Sequence, residues 1–187
     1  MSNKTVWWIR RDLRLFDNPA LHQALESGSQ TVPLFILDDT LLTHYAAAET
    51  RIAFLFDGLK RLDETLRQLG SYLVVRRGKP EAVLPAFVKE IEAAMVFAQE
   101  DTSPYAIKRD RELVEQLPLT LTGGTLIRPV ELVTKKDGKP YTVFTPYKKM
   151  WLSHALPHQR DLLPIPNKID TPAGIPTDSI PDSPTLP

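Results

Sequence analysis

Short apolar runs rich in β-branched and aromatic residues alternate along this chain with longer segments of helical periodicity. The alternation constrains the fold more than any other feature, because a strand, an amphipathic helix and a second strand in succession predict a parallel sheet with crossover helices. Five strands are predicted, at residues 5–9, 31–37, 72–75, 95–98 and 119–122. We therefore expect an α/β fold, a Rossmann-like open parallel sheet of about five strands with helices on both faces.

The segments between the strands carry helix start and stop signals. Asp17-Asn18-Pro19 supplies a cap and a first-turn proline for a helix that ends near Gly28. Further helices are predicted from Pro80 through Ile91, over residues 104–117 and over residues 147–155. A long helix ended by Gly70 is predicted from apolar residues that recur every three or four positions: Ile52, Leu55, Leu59, Leu62, Leu66 and Leu69.

The composition changes after residue 156. Eight of the chain's 17 prolines fall between Pro157 and Pro187, and apolar periodicity is lost there. We expect one folded domain over residues 1–156 and a Pro-rich linker over residues 157–187. The linker is expected to lack fixed structure, because no apolar burial would offset the entropy lost on ordering it.

Composition excludes several classes of protein. Lys plus Arg and Asp plus Glu both number 23, so the whole chain has no net attraction for nucleic acid or for an anionic membrane. The absence of cysteine removes disulfides, thiolate metal sites and cysteine nucleophiles, and the four histidines lack metal-ligand spacing, so no metal site is predicted. The sequence shows neither a signal-peptide pattern nor an apolar run of about 20 residues, and we expect a cytoplasmic protein without membrane attachment.

Ligand binding is expected beyond the carboxyl ends of the strands, where the strand order of an open parallel sheet reverses. The loops to consider are residues 10–17, 38–51 and 99–105. The first carries Arg10-Arg11-Asp12-Leu13-Arg14 in place of the glycine-rich turn that dinucleotide-binding domains and P-loop NTPases need for phosphate. The arginines either form a structural ion-pair network with Asp12 or Asp17 or hold an anion, and for each one we favour the network.

The stretch Trp8-Ile9-Arg10-Arg11-Asp12-Leu13-Arg14, followed by Asp17-Asn18-Pro19-Ala20-Leu21, resembles the opening of the DNA photolyase and cryptochrome family. Several matches that keep their order over most of the folded region are far more specific than one short motif. The chain is identified as a member of this family, as its N-terminal α/β antenna domain. The later matches are Arg77-Gly78-Lys79-Pro80, Asp101-Thr102-Ser103-Pro104-Tyr105, Arg109-Asp110 and the stretch from Gly138 to Tyr147.

Membership implies that work is divided between two domains. The N-terminal domain holds an antenna chromophore, a second pigment that harvests light, and a helical C-terminal domain outside this sequence holds FAD and the damaged DNA. The resemblance implies that this chain is the light-harvesting domain of a deoxyribodipyrimidine photolyase. That enzyme is a carbon-carbon lyase that repairs pyrimidine dimers. No catalytic residue is expected here, so the isolated chain is expected to be an inactive monomer whose partner is that helical domain.

Two alternatives to this function stay open. The first is the same domain of a cryptochrome, a photoreceptor with a signalling role. The second is a free-standing ligand-binding protein that ends at Pro187.

The resemblance also implies a chromophore site. In members that bind a deazaflavin, the polar contacts match Arg51 and Asp101 here. A planar tricyclic ring needs such groups at its polar edge, and apolar walls against its faces. The plainer alternatives are a solvated helix charge for Arg51 and a turn-forming carboxylate for Asp101. The walls would be Phe35, Ile36, Leu37 and Phe54.

The identity of the chromophore follows from a difference within the family. Folate-binding members carry an Asn-Glu pair that aligns with Tyr105-Ala106, so the carboxylate that would accept from a pterin ring is missing here. The resemblance therefore favours 8-hydroxy-5-deazaflavin or FMN over methenyltetrahydrofolate.

Five lysines and one aspartate lie between Lys135 and Lys149, interleaved with aromatic residues. This composition suits a nucleic-acid surface, but the resemblance favours packing of the segment against the start of the linker. Trp7, Trp8 and Trp151 are expected in the core or at interfaces.

Overall fold

A computed structural model describes residues 4–44, 48–124 and 126–182. Its five strands form one sheet in the order β3-β2-β1-β4-β5, and every neighbouring pair is parallel. The predicted fold class is confirmed. The strands are β1 (Lys4–Ile9), β2 (Gln30–Leu37), β3 (Val74–Arg77), β4 (Met95–Glu100) and β5 (Leu119–Gly124).

Helices connect the strands, and side-chain caps define two of their starts. Asn18 accepts a hydrogen bond from the backbone N–H of Leu21, and Ser103 accepts one from that of Ala106. The short α2 was not predicted, because six residues are too few to show a helical period. The helices are α1 (Pro19–Ser27), α2 (Asp39–His44), α3 (Glu49–Gln68), α4 (Pro80–Glu90), α5 (Pro104–Val114) and α6 (Phe144–Ser153).

Apolar side chains on the two faces of the sheet form two cores. On one face, Trp7, Phe35 and Leu37 pack with residues of α1 and α3. On the other face, Trp8 and Ile36 pack with residues of α4 and α5. Helices therefore cover both faces, as predicted, and the 0% and 2% exposures of Trp7 and Trp8 confirm their place in the core.

The third strand begins at Val74, two residues later than predicted. The residues before it are held by other groups. The backbone N–H of Leu73 donates to the carboxylate of Asp63 at 2.8 Å, and the Tyr72 hydroxyl donates to the carbonyl of Pro172 at 2.6 Å. These bonds replace the strand pairing that the apolar pattern predicted.

The Pro-rich segment packs along the domain, and our prediction that it lacks fixed structure is wrong over the part that the structure describes. Ile169 is fully buried among the residues of the α1 and α3 face. Its backbone N–H donates to the carbonyl of Leu69, and the N–H of Thr31 donates to the carbonyl of Asp170. Ile175 and Ile180 also pack against the cores. Apolar anchors five or six residues apart and irregular hydrogen bonds match neither a helical nor a strand period, so the sequence pattern did not show them. Its role as a linker stays a prediction.

The same segment runs beside β3, which is one of the two edge strands of the sheet. The backbone N–H of Val75 donates to the Thr177 hydroxyl at 2.9 Å, and the N–H of Asp178 donates to the Val75 carbonyl at 2.9 Å. Residues 183–187 lie outside the described part of the chain. None of the described helices is long and apolar enough to cross a membrane.

Candidate functional site

A cleft of about 510 Å³ lies at the carboxyl ends of β1, β2 and β4, on the edge of the sheet where ligand binding was predicted. Its volume lies within the range of sites for small organic ligands, which is roughly 300–1,000 Å³. The fold brings all six residues of the predicted site to its lining: Phe35, Ile36, Leu37, Arg51, Phe54 and Asp101. Residues 45–47 of the loop after β2 lie outside the described residues.

Apolar side chains from β2 and α3 line the cleft. Phe35, Ile36 and Leu37 end β2 and are buried. Phe54, on the second turn of α3, is 78% exposed, an unusual value for an aromatic residue beside a cavity. A planar ring placed between β2 and α3 would cover it, so the walls fit a flat aromatic ligand.

The two predicted polar contacts differ in how firmly the protein holds them. Arg51 lies in the first turn of α3 and is exposed. Asp101 follows β4, and its Oδ1 accepts a hydrogen bond from the backbone N–H of Ser103 at 2.9 Å. Asp101 thus has the turn-forming role of the plainer alternative, and its contact with a ligand stays a prediction.

The charge on Asp101 is stabilised within the cleft. Burial acts to raise the pKa of its carboxyl, but the hydrogen bonding of Ser103 and the guanidinium groups of Arg11 and Arg10 outweigh burial and lower the pKa. The Nη1 of Arg11 lies 3.5 Å from Oδ1. Asp101 is therefore ionised at neutral pH and offers only acceptors to a ligand.

A buried ion cluster forms the floor of the cleft beside Trp8. Arg10 Nη1 donates to both carboxylate oxygens of Asp110, at 2.7 and 2.6 Å, and Arg109 donates to Oδ1 from Nε and Nη2, at 2.9 and 2.7 Å. Both guanidinium groups lie over the Trp8 ring, with centroid distances of 4.9 and 4.8 Å. We refer to Trp8, Arg10, Arg109 and Asp110 as the tryptophan–arginine cluster.

This cluster corrects the predicted network of the first loop. An ion-pair network exists, as favoured, but the partner of Arg10 is Asp110, a hundred residues away, and neither Asp12 nor Asp17. Asp12 accepts instead from the backbone N–H of Arg10, and Arg14 donates to the backbone carbonyl of Asp17. The Arg109-Asp110 pair of the family motif was the only signal in the sequence that pointed to this contact.

One cation of the cluster, Arg10, is partly unsatisfied. Burial lowers the pKa of the Arg10 guanidinium, and the attraction of Asp110 opposes that effect. Arg10 Nε and Nη2 are buried without a hydrogen-bond partner among the described residues. Such groups are rare in folded proteins and are costly unless something compensates them.

The loop after β2 is tied to the start of α5. The Tyr105 hydroxyl donates to the buried carboxylate of Asp38, which also accepts from the backbone N–H of Thr40 at 2.9 Å. Burial, followed by the hydrogen bond and charge of Asp38, raises the pKa of Tyr105. The sequence analysis placed both residues in loops of the predicted site but did not predict their pairing, which joins positions 67 residues apart.

The arrangement suits a flat organic chromophore and gives no sign of metal chemistry. Within residues 4–44, 48–124 and 126–182, no three His, Cys, Asp or Glu side chains converge in a way that could hold a metal ion. The cleft instead combines apolar walls with guanidinium donors and carboxylate acceptors, which is the composition expected of a site for a planar ring.

The Lys-rich segment lies outside the cleft and is exposed. None of the α6 side chains is buried, and Phe144 and Leu152 are 72% and 57% exposed. The segment is attached through Trp151, which is half-buried with the Arg128 guanidinium 4.7 Å from its ring centroid. The predicted packing of this segment against the start of the linker stays a prediction.

Comparison with known proteins assigns the chain to a family. The DNA photolyase family model matches residues 5–168. The chain is 32% identical over 167 residues to a deoxyribodipyrimidine photo-lyase of Synechococcus sp., covering 84% of this chain and 34% of that protein. It is 34% identical over 183 residues to a cryptochrome DASH of Gloeobacter violaceus, covering 89% of this chain and 36% of that protein.

A solved structure agrees with the sequence relatives. An archaeal photolyase from Sulfolobus tokodaii, described as containing two FAD molecules, superposes with a TM-score of 0.73 at 25% identity, over 90% of this chain and 38% of that chain. The chain spans about a third of the length of these three proteins. It belongs to the DNA photolyase and cryptochrome family, as the N-terminal α/β domain.

Proposed function

We propose that this chain is the light-harvesting, chromophore-binding domain of a deoxyribodipyrimidine photolyase. The observation that carries the proposal is the single cleft that brings together the four apolar residues, Arg51 and Asp101. These residues come from three separate elements, and the cleft lies where parallel sheets bind their ligands.

The chromophore proposed for the cleft is 8-hydroxy-5-deazaflavin or FMN. The apolar walls would take the two faces of the tricyclic ring, Asp101 would accept a hydrogen bond from its polar edge, and Arg51 would donate one. Ala106 stands where folate-binding members carry a carboxylate, and it is buried with its N–H bonded to Ser103, so it offers nothing to a pterin. The Sulfolobus photolyase with two FAD molecules supports a flavin as the second pigment in this family.

The chemistry of repair is assigned to another part of the full-length protein. When bound, the chromophore would absorb light and pass its excitation energy to FAD in the helical domain, where electron transfer to the pyrimidine dimer takes place. The residues of this chain would bind and orient the pigment and exclude water from its faces. None of them is proposed to be catalytic.

The proposed partner is the helical C-terminal domain of the same protein, and damaged DNA is contacted through that domain. The exposed apolar side chains of α6 support a contact of this kind, since a ten-residue helix without buried residues gains little stability of its own. A cytoplasmic monomer is proposed for the full-length protein. The cryptochrome relative keeps a signalling photoreceptor as the alternative.

The proposal is tested by fluorescence titration of 8-hydroxy-5-deazaflavin, FMN and methenyltetrahydrofolate into the chain. Saturable one-to-one binding of either tricyclic ring, tighter than that of the folate, is expected. Preferential binding of the folate, or no binding of any of the three, would overturn it. Light-dependent repair of pyrimidine dimers by the full-length protein then separates a photolyase from the cryptochrome alternative, which is expected to show none.

A further inference from the structure

Trp8 lies in the cleft proposed for the chromophore, and two guanidinium groups lie over its ring. It lines the cleft and is 2% exposed. The Arg10 and Arg109 side chains that lie over its ring are only 6% and 7% exposed. Asp110 is the one carboxylate that both of them bind, so the tryptophan–arginine cluster keeps one positive charge that it does not balance internally.

A tryptophan in this position is a hazard to a light-harvesting pigment. Indole is the most easily oxidised side chain after deprotonated tyrosine, and a light-excited flavin or deazaflavin is a strong one-electron oxidant. With such a ring bound, Trp8 would be able to give it one electron and would itself become a radical cation. Return of that electron restores both ground states, and the excitation energy is lost as heat instead of reaching FAD.

The two guanidinium groups oppose that electron transfer. A neutral indole is stabilised by cations over its face, whereas a radical cation in the same place is repelled by them. We propose that Arg10 and Arg109 make Trp8 a poor electron donor and so protect the excited state of the antenna chromophore. The inference rests on the proposed function, because it needs a flavin-type ring in the cleft.

A purely structural role explains the cluster less completely. One arginine is enough to neutralise Asp110, yet the protein buries two and leaves Arg10 Nε and Nη2 without partners. Burying the second cation is costly, and a packing role alone would be met by an uncharged side chain of similar size. The second buried cation over the Trp8 ring is the feature that the photochemical role accounts for.

The test is the fluorescence lifetime of FMN and of 8-hydroxy-5-deazaflavin bound at saturation to wild-type chain, Arg109→Met and Arg109→Lys. Arg109→Met keeps the bulk and leaves Asp110 paired with Arg10. Removing a charge about 5 Å from the indole is expected to make quenching roughly tenfold faster, giving a several-fold shorter lifetime. Arg109→Lys keeps the charge and is expected to restore most of the lifetime. Arg111→Met, an exposed site on the same helix, is the matched control and is expected to leave it unchanged.

The Trp8→Phe background separates electron transfer from a change in structure. Phenylalanine is a much weaker electron donor than tryptophan. The double variant Trp8→Phe, Arg109→Met is therefore expected to give the same fluorescence lifetime as Trp8→Phe alone. Two results would overturn the inference: an Arg109→Met lifetime equal to that of wild type, or a shortening by Arg109→Met that is equally large with and without Trp8. In either case, binding of the ring would still support the proposed function. If neither ring binds the wild-type chain, the proposed function fails and this inference fails with it.

Discussion

Asp101 has two roles. Its carboxylate accepts the Ser103 hydrogen bond that holds a turn, and it lines the cleft proposed for the ligand. Replacing it tests both at once unless the variant is chosen to keep one of them. Asparagine can still accept the Ser103 hydrogen bond, but it lacks the negative charge. The pair Asp101→Asn and Asp101→Ala therefore separates the charge from the turn.

We expect Arg51→Ala and Asp101→Ala each to weaken binding of the tricyclic ring, because each leaves a hydrogen-bonding group of the ligand unmet. The expected loss is about 1–3 kcal/mol, or roughly five- to 150-fold in Kd. The loss for Arg51→Ala should lie at the lower end of this range, because the Arg51 side chain is exposed. Fluorescence titration measures the affinities.

The matched control for Arg51→Ala is Arg61→Ala, an exposed arginine on the same helix that does not line the cleft. It is expected to bind as wild type does. If Arg51→Ala and both Asp101 variants also bind as wild type does, the ligand does not use the predicted polar contacts and the site is wrongly placed.

Tyr105→Phe removes the hydroxyl that donates to Asp38, and the free energy of unfolding is expected to fall at neutral pH. The pKa of Tyr105 is raised from 10.0 in the folded protein, so the folded state retains the phenol proton more tightly than the unfolded state does. The stabilisation is complete below the unfolded pKa and is lost as the pH rises through the folded one. The stability difference between wild type and Tyr105→Phe should therefore shrink above pH 10.

Urea unfolding at neutral and at alkaline pH measures this difference. Comparing the two proteins at each pH cancels the titration of other groups, which both share. A stability difference that stays constant with pH would show that the phenol–carboxylate bond does not stabilise the fold.

At the scale of helices and strands, the sequence predicted the features that depend on residues close together along the chain. The Asn18 cap, the long α3 and the buried β2 follow from residues within a few positions of each other. The position of the site was predicted from the fold class, because the carboxyl ends of parallel strands meet at one edge of the sheet. The Arg10–Asp110 and Tyr105–Asp38 pairs could not be found in this way, because their members lie 100 and 67 residues apart and no periodicity links them.

The Pro-rich segment gives a direct test of packing without secondary structure. Ile169→Ala is expected to lower the free energy of unfolding by about 2–5 kcal/mol, because it leaves a cavity at a fully buried position. Ile165→Ala, four residues earlier and 52% exposed, is the matched control, with an expected cost below about 0.5 kcal/mol. Urea unfolding of the two variants measures the loss of unfolding free energy in each. Equal and small effects would mean that the segment is not fixed to the domain in solution.

At the scale of the whole molecule, charge and domain content set what the chain can bind. Positive and negative side chains are equal in number, so long-range attraction to DNA is absent. We expect residues 1–187 to have no useful affinity for FAD or for DNA that contains a pyrimidine dimer. Titration at low salt against damaged and undamaged duplexes measures this. Tight, saturable and lesion-dependent binding would contradict the assignment of repair to the helical domain.

The hydrogen bonds that Thr177 and Asp178 make with Val75 also bear on how the protein stays dispersed at high concentration. An outermost strand with free N–H and C=O groups is a template on which other chains add and aggregate, and natural proteins cover or interrupt such edges. Here the cover is supplied by the Pro-rich segment, which over residues 157–182 lacks helices and strands of its own apart from one short turn and would be deleted first in a shortened domain. Shortening the chain to residues 1–156 would therefore expose the edge of β3, and we expect the shortened chain to self-associate more than the full chain does.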